Sequence, residues 1–377
     1  MGESHADAGL MDFDFAIIGA GIAGATLAAR LATAGSVLLL EREAQPGMHS
    51  TGRSAAMFME SYGPPQARAL TRASRAAYAA AGNVLSPRGV LYVAWQGQEA
   101  LLAQQFDALR ATGCLVQHVD AAAALAEVPA LRPEGLLGAL SEPDAMDIDV
   151  HTLHQQALRE PHSGAATVWT EARLDSAGRG PTGWLLQLAD GRSVQARVLV
   201  NAAGAWADDV AQRAGLAPLG LQACRRSAFT FDAPGHAHRD WPTVVGIDEG
   251  WYFKPDAGQL LGSPANADPV APHDVQAEEL DIATGIARIE QRTTLTIRRP
   301  RRTWAGLRTF ARDGELVIGF DPRERGFFWL AGQGGYGIQS AAAAAMLARA
   351  LLCDEAWPEA LRREEVRAAP MSPARLL

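Results

Sequence analysis

A glycine-rich segment between an apolar strand and a helix is the feature that most constrains the fold of this chain. The apolar run 13–18 is strand-like, Gly-Ala-Gly-Ile-Ala-Gly follows at 19–24, and an alanine- and leucine-rich stretch at 25–34 is helical in pattern. A second apolar run at 37–40 leads directly into Glu41. This order of strand, G-x-G-x-x-G, helix, strand and acid predicts a βαβ unit that binds a dinucleotide.

The residues of this unit have predicted roles at the cofactor. Gly19 makes the tight turn, Gly21 lets the backbone approach a pyrophosphate, and Gly24 lets the helix lie close to the sheet. The helix N-terminus turns free N–H groups and its positive dipole end toward the phosphates. Glu41 is predicted to accept hydrogen bonds from ribose hydroxyls. The remaining predicted contacts of the unit are Ile22, Ala23 and Arg42.

Two further segments favour FAD over NAD as the dinucleotide. Residues 48–56 are rich in small and hydroxyl side chains, which suit a flat polar ring, and they include Arg53 as a candidate anion partner. Near the end of the chain, a strand-like run at 327–330 precedes the glycine-rich turn 332–337 and an alanine-rich helix at 338–352. A helix N-terminus there would stabilise the negative charge of a reduced flavin, which an NAD-linked dehydrogenase does not require.

A third change from strand through small residues to helix lies at 198–206. Together the segments predict turns that meet at the carboxyl edge of one sheet, where a cofactor can lie against the backbone. The predicted FAD contacts in these segments are His49, Ser50, Thr51, Arg53, Ser54, Ala55, Ala56, Ala202, Gly204, Trp206, Gly334, Gly335, Tyr336, Gly337 and Ile338.

Length, charge and cysteine content exclude several classes of protein. A chain of 377 residues can bury two cores, and a net charge of −8 argues against a nucleic-acid partner. Cys114, Cys224 and Cys353 lie far apart, which argues against a disulfide framework or a zinc site and fits a reducing compartment. His151 and His154 lack a third ligand at metal-site spacing, so we predict no metal.

The sequence contains no recognisable membrane anchor. The longest apolar run, 341–352, is interrupted by Arg349 and is too short to span a bilayer. Residues 1–11 are polar and acidic and do not resemble a signal peptide, so we expect a disordered lead. These features favour a cytoplasmic protein, with peripheral association at the inner face of the membrane as the alternative.

The chain resembles the D-amino acid oxidase superfamily of FAD-dependent oxidoreductases, and within it the bacterial D-arginine dehydrogenases. The resemblance runs from end to end and is carried by GAGIAG, LEREAQPG, HSTGRSAA, VLVNAAGAW, RRSAF, YFKPDAG, LLGSPANADPV, TTLTIRRP, TWAGLR and QGGYGIQ. It implies an α/β, Rossmann-like FAD-binding domain of the glutathione-reductase type. It also implies an α+β substrate domain with an antiparallel sheet, and an FAD that is not covalently bound.

The pattern along the chain supports a division into two domains. We predict an FAD-binding domain formed by 1–82, 147–217 and 304–377, and a substrate-binding domain formed by 83–146 and 218–303. The rhythm of buried strands is lost over 84–145, where helical patches at 99–111 and 121–127 appear instead. Strand-like runs recur over 219–303.

The resemblance implies that FAD accepts hydride from the α-carbon of a small D-amino acid, and that water hydrolyses the resulting imino acid to a 2-oxo acid and ammonia. A substrate carboxylate prefers a bidentate guanidinium, a role that the resemblance assigns to Arg226 and Arg308. Strand alternation sends Arg225 and Arg226 to opposite faces, so only one of them can face the flavin. Lys254 is interpreted as a rim residue. The other implied substrate residues are Tyr252 at the carboxylate, Tyr62 and Tyr336 in the pocket or its lid, and the carbonyl of Gly335 at the amine.

The chain departs from the arginine enzymes where side-chain specificity is set. Met57, Met59 and Val90 occupy positions at which the resemblance would place polar or acidic residues. An unpaired guanidinium in an apolar pocket costs several kcal/mol, so we expect D-Arg and D-Lys to be poor substrates and apolar or aromatic side chains to be preferred. Glu60 would weaken this expectation if it pointed inward.

Three alternatives remain open at this point. The substrate can instead be glycine, an N-methyl or imino acid, or a 2-hydroxy acid, because carboxylate-binding arginines serve all of these. The chain can be a non-catalytic FAD-binding subunit, which the set of carboxylate binders argues against. An NAD-linked dehydrogenase is disfavoured by the two flavin-type segments. The electron acceptor, whether oxygen, a quinone or another molecule, is not specified by these residues.

Overall fold

The computed structural model describes residues 11–159 and 166–377. Most of the N-terminal segment that we expected to be a disordered lead, residues 1–10, lies outside the described residues. The strands of the described residues, in chain order, are β1 Met11–Ile18, β2 Val37–Leu40, β3 Met57–Phe58, β4 Leu85–Pro87, β5 Val90–Trp95, β6 Gln117–Asp120, β7 Leu136–Glu142, β8 Met146–Ile148, β9 Ala166–Trp169, β10 Leu174–Arg179, β11 Trp184–Leu188, β12 Ser193–Asn201, β13 Gln222–Phe231, β14 Thr243–Gly246, β15 Tyr252–Asp256, β16 Gln259–Ser263, β17 Asp268–Pro269, β18 Arg302–Phe310, β19 Val317–Asp321 and β20 Glu324–Ala331.

Helices follow several of these strands and cover the sheets. The α-helices are α1 Ile22–Leu31, α2 Pro65–Ala80, α3 Glu99–Ala111, α4 Ala121–Glu127, α5 Val150–Arg159, α6 Ala207–Arg213, α7 Glu279–Arg292, α8 Gly337–Cys353 and α9 Glu359–Arg363. Short 3-10 helices lie at Gly204–Trp206, Ala369–Met371 and Pro373–Leu376.

A mostly parallel sheet of eight strands carries the predicted dinucleotide unit. Strands β9, β2, β1, β12 and β20 are neighbours in that order and run parallel, and β19 adds an antiparallel edge. The register pairs Ile18 with both Leu40 and Asn201, and Asn201 with Trp329. The turns that follow these strands therefore meet at one carboxyl edge, as the sequence predicts.

Helices on both faces explain why the central strands are continuously apolar. All four residues of β2 are buried, and α1 and α8 pack with α2 over one face of the sheet. Helix α6 packs on the opposite face, and the hairpin β10–β11, whose Trp184 is buried, extends the sheet by antiparallel pairing of β11 with β12. A parallel sheet buried on both sides requires such near-continuous hydrophobic runs. This architecture confirms the predicted mixed α/β, Rossmann-like fold.

A second sheet of nine strands lies beside the first. Its order is β17, β13, β16, β15, β14, β5, β7 and β6, with β18 paired to β13 on the other side. The pairs are antiparallel except β5 with β14. Helix α7 covers one face. Strands β3, β8 and β4 form a separate small antiparallel sheet.

The element bounds agree with the sequence in some places and differ in others. The predicted helices at 99–111 and 121–127 are confirmed as α3 and α4. Helix α1 begins three residues before the predicted 25, because Gly21 is its N-cap. The expected loss of buried strands over 84–145 is wrong: all six residues of β5 are buried, and β7 is largely buried. A glycine and a serine inside β7 conceal its apolar pattern.

The predicted domain division stays a prediction. Strands of the eight-stranded sheet come mainly from the segments assigned to the FAD-binding domain, and most strands of the nine-stranded sheet come from the other segments. Strand β18, however, pairs along its whole length with β13 of the nine-stranded sheet. The predicted boundary at 304 therefore falls within this strand.

Gly24 is the residue whose substitution tests the packing of α1 on the first turn. A Cβ at Gly24 would lie 1.9 Å from the carbonyl oxygen of Gly19, which is rigid backbone. We expect Gly24→Ala to lower the free energy of unfolding by about 3 kcal/mol, since overpacking forces the backbone to shift. Urea denaturation of both proteins measures this difference.

The matched control is Gly178→Ala, because a Cβ at Gly178 would meet no atom within 4 Å. That variant is expected to change the free energy of unfolding by less than about 0.5 kcal/mol. Equal stabilities of the two variants would contradict the packing role of Gly24.

Candidate functional site

One long cleft starts at the carboxyl edge of the eight-stranded sheet and reaches the nine-stranded sheet. It holds about 1700 Å³ of space free of protein atoms, part of it open to solvent. The cleft is lined by the turn after β1, the end of β2, the loop 47–55 except Gly52, the turn 202–206, and residues 330–335, 337 and 338. β13, β15 and β18 add side chains from the second sheet.

The first turn has the geometry that a dinucleotide needs. Gly19 has a φ of +102°, and a Cβ there would lie 2.6 Å from the carbonyl oxygen of Ala202. Its N–H donates to the carbonyl of Leu40 at 2.7 Å. Only glycine can combine this backbone conformation with such a close approach. The backbone of this turn therefore faces the cleft directly, without a side chain in between.

Glu41 is fixed beside this turn. Its side chain is 7% exposed, and its two carboxylate oxygens accept from the N–H groups of Ala20 and Glu43, each at 3.0 Å. A carboxylate oxygen can accept more than one hydrogen bond, so Glu41 retains capacity for hydroxyl donors in the cleft.

Two side chains hold the N-terminus of α1, and one of them escaped the sequence analysis. Thr51 Oγ1 accepts from the N–H of Ile22 at 3.0 Å. His154 Nε2 lies 2.8 Å from the carbonyl oxygen of Ala20. Burial lowers the pKa of His154, so its ring is neutral and donates from Nε2. His154 could have been recognised from its place on the buried face of α5. The sequence analysis considered it only as a possible metal ligand.

The loop 49–56 connects the two sheets at the cleft. His49 packs on Trp206 with ring centroids 4.7 Å apart, and its Nε2 lies 2.9 Å from Glu43. Ser50 Oγ donates to the carbonyl of Leu307 in β18 at 2.6 Å. Ser54 Oγ accepts from the N–H of Ala56 at 2.9 Å. The loop is therefore in contact with elements of both sheets.

Arg53 lines the cleft but is not the free anion partner that we predicted. Its guanidinium pairs with Asp274 and donates to the carbonyls of Val275 at 2.9 Å and Ala305 at 3.2 Å. A guanidinium already neutralised by a carboxylate has little attraction for another anion. Arg53 instead ties the loop to the second sheet.

The second glycine-rich turn presents backbone and one amide to the cleft. Gly334, Gly335, Gly337 and Ile338 line it, and the N–H of Gly334 donates to the carbonyl of Thr309 at 2.8 Å. Gln333 also lines it, and within the described residues its buried Nε2 has no hydrogen-bond partner. Such an orphaned donor is costly unless a bound group satisfies it. The cleft thus fits a ligand with acceptor atoms at this point.

Tyr336, predicted at the cofactor or the lid, does not line the cleft. Its hydroxyl donates to the carbonyl of Gly314, and its ring is buried behind the turn against Tyr62 and Phe310. Burial raises the pKa of Tyr336. Its contacts are those of a packing residue. Two other predicted cofactor residues, Gly24 and Ala56, are also absent from the cleft lining.

Arg226 and Arg308 come together at the end of the cleft under the nine-stranded sheet. Both line the cleft together with Tyr252, and Arg308 Nη1 donates to the hydroxyl of Tyr62 at 3.3 Å. Burial and the charge of Arg308 lower the pKa of Arg226, while Tyr252 and Tyr62 act in the opposite direction. A Cβ at Gly335 would lie 2.8 Å from Arg308 Nη1.

Neither arginine has a carboxylate partner in the parts of the chain that the structure describes. Arg225, by contrast, is 8% exposed on the opposite side of β13, where it pairs with Asp281 at 3.0 Å, with Asp268 and with Glu278. Of the two adjacent arginines, Arg226 is therefore the one in the cleft. Two uncompensated guanidinium groups make this end of the cleft an anion site.

Lys254 is not the rim residue that we inferred. It is 2% exposed, and its Nζ donates to Asp147 and to the carbonyl of Ala55 at 3.1 Å. Asp147 also accepts from Arg88 Nε at 2.7 Å. Lys254 therefore holds the end of the loop 49–56 by its bond to Ala55, while its buried ion pair with Asp147 fixes the ammonium to β8.

The predicted side-chain pocket is closed by packing. Met57, Met59 and Val90 are not among the residues that line the cleft, and Val90 is fully buried. The two methionines pack at one edge of the apolar cluster beneath β5, and Met57 Sδ lies 3.2 Å from Thr243 Oγ1. Glu60 pairs outward with Arg75 at 2.6 Å, so it does not weaken the expectation of an apolar pocket.

An acid that the sequence analysis missed lies next to this cluster. Glu142 is directly opposite Val90 in the antiparallel pair β5–β7, is 2% exposed, and accepts from Ser61 Oγ at 2.7 Å. Burial raises the pKa of Glu142. Gln339 was also missed: its amide bonds the backbone of Met59 at 3.1 and 3.2 Å and that of Tyr62 at 3.3 Å. It thereby holds the segment that carries Tyr62.

Over residues 11–159 and 166–377, no group of three His, Cys, Asp or Glu side chains is arranged to hold a metal ion. No helix in the same residues is long and apolar enough to cross a membrane.

Comparison with known proteins identifies relatives of this arrangement. The model of the family described as "DAO: FAD dependent oxidoreductase" matches residues 14–351. Glycine oxidase from Geobacillus kaustophilus superposes with a TM-score of 0.80 at 23% identity, over 97% of this chain and 99% of that one. L-Proline dehydrogenase from P. horikoshii gives 0.81 at 17% identity, over 97% and 98%.

A third similar structure is iminodiacetate oxidase from Chelativorans sp. BNC1, with a TM-score of 0.77 and 22% identity, over 95% of this chain and 98% of that one. At these identities the structures share the fold. Both the eight-stranded and the nine-stranded sheet are included, since nearly the whole of each chain is covered.

The buried pair Lys254–Asp147 gives a stability prediction. Lys254→Met removes the ammonium but leaves Asp147 paired with Arg88, so we expect a loss of about 2 kcal/mol in the free energy of unfolding, less than for a fully orphaned buried charge. Urea denaturation is the measurement. As a control, Arg301→Met breaks the exposed pair with Asp232 and is expected to change the free energy of unfolding much less, because solvent screens this pair. Similar losses in both variants would contradict the buried role of Lys254.

Proposed function

The chain belongs to the family of FAD dependent oxidoreductases and uses FAD as its cofactor, and on this premise we propose that it deaminates a D-amino acid oxidatively. The observation that carries the proposal is the convergence of Arg226 and Arg308, both without carboxylate partners in the described residues, in the same cleft as the dinucleotide motif. Hydride leaves the α-carbon, and hydrolysis of the imine gives a 2-oxo acid and ammonia.

We propose that the glycine-rich turns hold FAD. The backbone of Gly19, Gly21 and the N-terminus of α1 would bind the pyrophosphate, and Glu41 the ribose hydroxyls. The loop 49–55 and the turn 332–338 would enclose the flavin ring, with Gln333 Nε2 as one donor to it. When bound, FAD supplies the acceptor for the hydride.

The anion site would bind and orient the substrate. Two guanidinium groups can both donate to one carboxylate, and charge-assisted hydrogen bonds contribute about 1.5–3 kcal/mol each. Tyr252 is proposed to add a hydroxyl donor, and the carbonyl of Gly335 to accept from the substrate amine. Tyr62, bonded to Arg308, would close the other side. With the carboxylate and amine both held, the α-hydrogen is presented in one direction.

We propose that the substrate side chain is apolar or aromatic. Its pocket would form where Met57, Met59 and Val90 meet, since methionine side chains adapt readily to a ligand. Glu142 beside this cluster opposes the preference only in its ionised form, and burial disfavours that form by raising the pKa of Glu142. D-Arg and D-Lys would therefore be weak substrates.

A second candidate is oxidation of glycine, an N-methyl amino acid, an imino acid or a 2-hydroxy acid. The similar structures support it, since they are named as enzymes of glycine, L-proline and iminodiacetate. The same two arginines would bind all of these carboxylates. The candidates differ in the substrate side chain that the pocket must accommodate, and glycine has no side chain.

Anaerobic reduction of the bound flavin separates these candidates. We expect the oxidised protein to bleach rapidly with apolar D-amino acids, weakly with D-Arg, and not with the L-enantiomers, which serve as matched controls. Stopped-flow absorbance measures the rates. Rapid bleaching by D-Arg would contradict the pocket argument, and bleaching only by glycine, sarcosine, proline or 2-hydroxy acids would replace the proposed substrate class. No bleaching by any of these would leave a non-catalytic FAD protein.

Glu142 makes the preference for charge depend on pH. Because its pKa is raised, the carboxyl ionises only as pH increases, and the carboxylate can then pair with a cation. We expect kcat/KM for D-Arg relative to D-Met to rise by about tenfold with pH, equivalent to about 1.4 kcal/mol. The ratio cancels the ionisation of the α-amine, which both substrates share.

Glu142→Gln is expected to abolish this rise, whereas Glu60→Gln, at an acid that pairs outward with Arg75, should preserve it. Kinetics of the three proteins across pH provide the test. The same rise in wild type and Glu142→Gln would show that Glu142 does not face the substrate.

A further inference from the structure

The adjacent arginines of β13 are connected through one residue of the loop after β16. Arg226 Nε donates to the backbone carbonyl of Asn266. On the opposite face, Arg225 pairs with Asp281 and Asp268, and both carboxylates accept from Asn266 Nδ2, at 2.9 and 2.6 Å. Asn266 thus lies between a neutralised charge cluster and the arginine of the anion site.

The side chain of Asn266 is fully occupied in holding its own backbone. Besides its two donor bonds, Oδ1 accepts from the N–H of Ser227 at 2.9 Å, which attaches Asn266 to β13 beside Arg226. The preceding Ala265 has a φ of +54°, an unfavourable conformation for alanine, and its N–H donates to Ser263 Oγ at 3.1 Å. Strained backbone of this kind persists where surrounding bonds enforce it, and it is frequent at binding sites.

We propose that Asn266 is a positioning residue that sets the orientation of Arg226 toward the substrate carboxylate. A guanidinium whose Nε is already bonded to a fixed carbonyl cannot rotate its plane, so its terminal nitrogens are presented in one geometry. A bidentate contact depends on that geometry. Arg225, Asp268 and Asp281 act through Asn266 and do not touch the substrate. The inference rests on the proposed role of Arg226 as a carboxylate binder.

Asn266→Ala removes all three side-chain bonds and releases the loop. We expect the Kd of the oxidised protein for a D-amino acid substrate to rise by about tenfold to a hundredfold, with a smaller change in the limiting rate of flavin reduction. Binding of propionate, followed by the flavin absorbance shift, should weaken by a similar factor, because propionate carries only the carboxylate. Stopped-flow reduction and spectral titration measure these quantities.

A double-mutant cycle distinguishes positioning from a general structural role. Arg226→Gln alone should weaken propionate binding strongly, and adding Asn266→Ala to it should change the Kd by less than about twofold, because the two act through one contact. Equal losses from Asn266→Ala in both backgrounds, or no loss in either, would overturn the proposal. If Arg226→Gln instead binds propionate as tightly as the wild-type protein does, the proposed carboxylate site itself is refuted.

Thr230→Val is the matched control on the same strand. Thr230 lies four residues from Arg226, and its buried Oγ1 has no hydrogen-bond partner among the described residues. The isosteric change should leave propionate binding and flavin reduction unchanged. A loss in Thr230→Val as large as that in Asn266→Ala would show that any change in β13 disturbs the site, and would also overturn the proposal.

Discussion

Electrostatic repulsion between two guanidinium groups is the constraint on which the arrangement of the cleft depends. Arg226 and Arg308 face the same space without carboxylate partners in the described residues, and the charge of Arg308 helps to lower the pKa of Arg226. Such a pair is unfavourable in a partly buried site unless an anion enters. The pairing of β13 with β18 along the whole length of β18 resists their separation. The backbone thereby holds the two positive charges together at this end of the cleft.

The same loop serves both ends of the cleft. Through Ser50 and Arg53 the loop 49–56 is bonded to β18, which carries Arg308, and through Thr51 it is bonded to the N-terminus of α1. Lys254 secures the end of the loop at Ala55. The N-terminus of α1 and the strand that carries Arg308 are therefore joined through hydrogen bonds to one loop.

The sequence is most informative where local chemistry determines the backbone. Gly19 and Gly24 specify the first turn because a Cβ at either position would clash with backbone atoms, and the apolar runs specify a sheet covered on both faces. FAD and the family follow from these motifs. Arg53 shows the limit of the approach: its type suggested an anion partner, but Asp274, distant in sequence, neutralises it. The residue type predicts the charge of a side chain, but it does not predict which residue will pair with that charge.

Contacts between residues on different strands depend on strand register, which the sequence does not show. Glu142 lies opposite Val90 only because β5 and β7 are antiparallel neighbours in one register, and a shift of one residue would turn its carboxyl to the other face of the sheet. No pattern along the chain connects positions 90 and 142. The expectation of an apolar pocket rests on residues 57–93 alone, and it therefore leaves out Glu142 of β7. The buried carboxyl of Glu142 and the side chains of Met57 and Met59 lie at one cluster but come from segments distant in sequence, so the sequence alone brings forward only the methionines.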